Sequence, residues 1–63
     1  MKHYAEKKTR IAALNKEMDA IHFVNNLYWQ RRETNTTTAR AEYRRRLDRL
    51  YEIRSELARL QSE

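Results

Sequence analysis

Side chains that attack, shuttle protons, hold metals or grip charge are the raw material of protein chemistry, and this chain supplies only the last kind in quantity. It contains no Cys, so thiolate nucleophiles, thiolate metal sites and disulfides are excluded. Its two histidines, His3 and His22, form no metal-ligand pair at helical spacing. Ser55 and Ser62 have no histidine at helical spacing that would serve as a base. The carboxylates alternate with Arg and read as ionised surface groups, not as a tuned acid–base pair. Gly is absent as well, which removes any phosphate-cradling glycine loop. The sequence therefore predicts a non-enzyme, with no catalytic residue, no cofactor, no metal and no small-molecule substrate.

What remains is arginine. Arg31, Arg32, Arg40, Arg44, Arg45 and Arg46, less Glu33 and Glu42, carry +4 of a net charge of +5. The planar guanidinium fork suits bidentate contact with phosphate or carboxylate, so this cluster is a candidate patch for a nucleic-acid backbone or an acidic protein. The plainer reading is a solvated helix face. Arg44 and Asp48 stand four apart, Arg45 reaches Asp48 at three, and Glu56 and Arg59 are similarly placed. Such pairs add only a few tenths of a kcal/mol each.

The elements that must position these residues are helices. Neither Gly nor Pro interrupts the 63 residues, and most side chains are strong helix formers. Tyr4, Ile11, Leu14, Met18, Ile21, Asn25 and Tyr28 recur at steps of three, four or seven, on one side of a helix. Ala39, Tyr43, Leu50, Ile53, Leu57 and Leu60 do the same further on, with Leu47 flanking. Between them lies the stretch RETNTTTAR. Asn35 tolerates left-handed backbone and is the candidate to end the first helix. Thr36, Thr37 or Thr38 then caps the second with its hydroxyl.

The expected fold class is all-α: one antiparallel αα-hairpin domain over residues 1–63, of two long helices joined by a short turn near Asn35. The first helix runs over about residues 3–33, the turn over about 34–37 and the second helix over about 38–61. With the turn at Asn35 and Thr36, the numbers of facing residues sum to about 71. Tyr28 then faces Tyr43, Ile21 faces Leu50, and Met18 faces Ile53. Leu14 faces Leu57, and Ile11 faces Leu60. The same register sets Asn25 opposite Arg46, a polar layer in the manner of those that fix register in coiled coils. The alternative is an Arg46 at the stripe edge, its stem packed and its head in water. Residues 1–8 of the longer first arm overhang the second, leaving Tyr4 without an intramolecular partner.

One stretch does not fit a single seam. In HFVNNLYWQR, residues 22–31, Phe23 and Leu27 lie nearly opposite the main stripe, with Ala20 beside them and Val24 on the flank. Tyr28 and Trp29 are aromatic side chains with polar tips of the kind enriched at interfaces. A two-helix hairpin has one internal seam, and a segment apolar all round must be covered all round. The expectation is a homodimeric four-helix bundle, with Ala20, Phe23, Val24, Leu27, Tyr28 and Trp29 at the interface. A different protein covering the same patch is the other possibility. His22, beside the main stripe, reads as a structural or edge residue.

In length and connectivity the chain resembles the plasmid RNA-binding hairpins that dimerise into four-helix bundles. That resemblance is one of architecture, and it implies a homodimer without specifying what the dimer binds. The basic start is followed by no apolar run of secretory type, and no run approaches the roughly 20 apolar residues of a membrane span. A cytoplasmic protein with no membrane partner is expected.

Overall fold

The computed structural model describes residues 2–31 and 36–62, with side chains from Ala5 onward in the first arm. Two helices make up these residues: α1 spans Lys2–Gln30 and α2 spans Thr37–Ser62. They pack side by side as an elongated hairpin measuring 51 × 15 × 14 Å.

The caps explain where the helices stop and start. Arg31 already lies outside α1, though its N–H still donates to the carbonyls of Leu27 and Tyr28, at 3.1 and 3.3 Å. This shared bond satisfies two of the carbonyls a helix end leaves open. α2 is opened by Thr36, whose Oγ1 accepts from the Ala39 N–H at 3.1 Å while its carbonyl accepts from Arg40 at 3.0 Å. Of the three threonines that suit the cap, the first performs it. Asn35, expected to end the first helix, lies outside the described residues, as do Arg32, Glu33 and the side chain of Tyr4.

The seam is the apolar stripe of each helix turned inward. Leu14, Ile21, Leu50, Ile53 and Leu57 are buried, with Ile11, Met18 and Leu60 packed against them. Each buried aliphatic side chain contributes about 1.5–3 kcal/mol relative to exposure. Toward the turn the seam becomes aromatic: the Tyr28 and Tyr43 rings stack at 4.6 Å with 7° between their planes. Asn25 and Arg46 meet in the layer between, as the facing-pair register requires.

Candidate interaction surfaces

The seam leaves two long edges and two backs, and the exposed side chains differ sharply among them. On one edge, ion pairs bridge the helices. Glu17 accepts from Arg49 Nε and Nη2 at 2.6 and 2.8 Å. Glu56 accepts from Arg10 Nε and Nη2 at 2.7 and 2.9 Å. Both are bidentate forks, the geometry in which guanidinium binds carboxylate best. The Arg49 fork holds the Glu17 carboxyl below its ordinary value, and Arg10 does the same for Glu56. In turn, hydrogen bonding to these carboxylates raises both arginines. Arg10 and Glu17 are one heptad apart on α1, as are Arg49 and Glu56 on α2. The short-range pairs within single helices do not reveal this clasp. Its signal is opposite charges repeating at seven beside the stripe, where coiled coils place interhelical pairs.

Nearer the turn, Val24, Leu27, Tyr28 and Ala39 line a shallow concavity with Arg31, Glu42 and Arg46. Phe23 stands outside it on the back of α1, with Ala20 exposed on the same helix.

Trp29 is elsewhere. It lines a groove of about 360 Å³ on the opposite edge, together with His22, Asn26, Tyr43, Leu47 and Tyr51. Its Nε1 donates to the Tyr43 hydroxyl at 3.1 Å, and its ring sits edge-on to both Tyr28 and Tyr43. The three rings form one cluster whose stacked pair is in the seam and whose outer wall is Trp29. Thus the six residues expected to form one interface fall on different faces of the hairpin. Val24, Leu27 and Tyr28 line one edge, Phe23 and Ala20 stand on the back, and Trp29 lines the other edge. Leu47 and Tyr51, which share the groove with Trp29, were not among the expected six. Their signal is an i, i+4 apolar pair on the flank of the α2 stripe.

The arginines also divide. Arg46 turns inward: its Nε donates to Asn25 Oδ1 at 2.6 Å, and its guanidinium carbon lies 5.9 Å from the Tyr43 ring centre. That contact gives the buried Asn25 amide a charged donor. It also removes Arg46 from the surface cluster. Arg40, Arg44 and Arg45 are exposed. Arg40 and Arg44 precede Leu47 and Tyr51 by two turns and share their side of α2, whereas Arg45 projects toward the ion-paired edge.

Among the described residues, no group of three or more His, Asp or Glu side chains is placed to hold a metal ion. None of the described helices is long and apolar enough to cross a membrane. Comparison with protein-family models, with curated proteins and with solved structures returns no match.

Proposed function

We propose that the hairpin is one half of a homodimer and serves as a non-enzymatic interaction module for another macromolecule. The observation that carries this reading is the apolar surface the second helix leaves in water. Tyr51 is 75% exposed, Phe23 65%, Trp29 51%, Leu47 42% and Val24 40%. A compact chain of this mass exposes about 4,400 Å² by the scaling of folded surface with mass. The hairpin exposes 5481 Å². The excess, about 1,100 Å² per chain, exceeds the roughly 800 Å² each partner contributes to a stable interface. Sedimentation equilibrium from low to high micromolar concentration tests the proposal. The expected mass is twice the 7.8 kDa of the chain. A well-folded single chain throughout that range overturns it.

A second reading rests on three of the exposed arginines near the turn, Arg40, Arg44 and Arg45, in a chain of sequence pI about 10.0. In a dimer these become two basic patches at fixed separation, suited to a phosphate backbone. Titration of labelled RNA and duplex DNA at several salt concentrations separates it from the first. Phosphate binding predicts an affinity that falls steeply with salt and is lost when the three arginines are changed to Gln together. No binding at low salt removes it. Arg46 is excluded from that variant because its contact with Asn25 is structural.

A further inference from the structure

We propose that the groove walled by Trp29, Leu47 and Tyr51 is the surface on which a second copy of the chain docks, with the two hairpins antiparallel. The inference rests on the homodimer reading and adds to it the face and the orientation.

Three features separate this edge from its rivals. It is concave and built from both helices, whereas Phe23 stands on the convex back of α1. On the other edge the Arg10–Glu56 and Arg49–Glu17 forks span the seam, and the shallow concavity nearer the turn is lined by the charged Arg31, Glu42 and Arg46. Finally, the groove wall is ready to lose water. The indole N–H of Trp29 is already paired with the Tyr43 hydroxyl within the same chain, so covering the indole leaves its own donor satisfied. His22 and Asn26, both exposed, provide a polar rim on the α1 side.

Shape selects the occupant. Tyr51 is the most exposed of the large apolar side chains on the described surface. It lies one turn from Leu47 along α2, on the side away from the hairpin turn. With a two-fold axis at the level of Leu47, the antiparallel copy brings its own Tyr51 level with Tyr43 and Trp29. Each ring then stands against the aromatic wall of the other groove, a self-complementary contact that a two-fold interface requires. A parallel copy sets like beside like, Tyr51 against Tyr51 and one aromatic wall against the other, so neither Tyr51 ring meets the wall of the other groove.

Charge selects the same orientation. Parallel docking places Arg40 and Arg44 of one copy beside the same two arginines of the other. Antiparallel docking parts these four cations and sets Arg40 of each copy near the level of a single groove cation, Arg54.

The absence of native cysteine makes a direct test straightforward. Under mild oxidation the Leu47→Cys chain is expected to cross-link into a covalent dimer, and the Phe23→Cys chain is not. A nitroxide on Gln61→Cys, exposed near the open end of the hairpin, is expected to report a spin–spin distance of about 40 Å for antiparallel copies, from the helical rise. Parallel copies bring that distance to about 20 Å or less, by the interaxial spacing of packed helices, which overturns the orientation. A dimer that does not cross-link through Leu47→Cys overturns the groove assignment and leaves the homodimer standing. A single-chain mass for the unmodified protein removes the homodimer reading itself. Neither readout depends on a variant that disrupts the core, since Leu47 and Gln61 contribute nothing to the buried cluster.

Discussion

At the residue scale, the decisive side chains are those that pair across the seam. Asn25 is the one buried polar side chain among the described residues, and Arg46 answers it with a charge-assisted hydrogen bond. Asn25→Ala is expected to lower stability by about 1–2 kcal/mol in urea unfolding, because it removes a bond to a charged donor. Replacing both partners together, Asn25→Leu with Arg46→Met, is expected to recover that loss, as polar pairs exchanged for packed apolar ones commonly do. A double variant no more stable than Asn25→Ala means that apolar packing does not replace what the Asn25–Arg46 bond contributes. The two ion-paired glutamates set an acid limit. Both carboxyls titrate below their ordinary value near 4.5 in the folded chain. Their contribution is therefore complete above that value and is lost as pH falls through the lowered folded values. The melting temperature should drop on acidification below about pH 4.5. The drop should be smaller in a Glu17→Gln, Glu56→Gln variant, which starts lower at neutral pH. Both carboxylates are solvent-accessible, so the neutral-pH difference between the two proteins is expected to be modest.

At the element scale, each helix is bounded by local chemistry and held by its neighbour. Thr36 accepts from the Ala39 N–H, and it is followed by two further threonines that make no such cap. Thr36→Ala is expected to cost about 1 kcal/mol, with Thr37→Ala and Thr38→Ala within a few tenths of the parent, by thermal melting. Equal losses at all three positions would show that the cap shifts along the run. The helices also differ in character. α2 has one buried stripe, Leu50, Ile53 and Leu57, with Leu47 and Tyr51 exposed on its flank and mostly charged side chains over the rest. Over residues 20–29, α1 is apolar on several sides, and its one neighbour covers only the side that carries Ile21, Asn25 and Tyr28.

At the scale of the whole molecule, a two-helix hairpin has too little interior for its mass. Its exposed area is that of an elongated body, and its largest exposed side chains are aromatic. If a second copy supplies the missing interior, stability belongs to the assembly, and the melting temperature rises with protein concentration. Melting followed by circular dichroism across a hundredfold concentration range is expected to show that rise. A concentration-independent melt would place all the stability within one chain.

The hairpin itself was legible in the sequence because its determinants are local or periodic. The absence of Gly and Pro leaves helix uninterrupted, the run Thr36–Thr38 marks a start, and apolar steps of three and four mark the inward faces. One assumption about the turn then aligns every facing pair from Ile11–Leu60 to Tyr28–Tyr43, because antiparallel helices of equal rise keep a constant register. The surfaces were less legible. The expected interface grouped Trp29, beside the main stripe, with Val24 and Phe23, yet the second helix covers the arc between Trp29 and Val24 so that they emerge on opposite edges. Arg46 stood by sequence both in a basic cluster and opposite Asn25, and its hydrogen bond to that buried amide turns it inward. The clasp between Arg10, Glu17, Arg49 and Glu56 depends on which flank of each helix meets the other. Periodicity determines which residues face inward; only the packed pair decides which of the remaining side chains become neighbours, because an edge is made by two helices and belongs to neither.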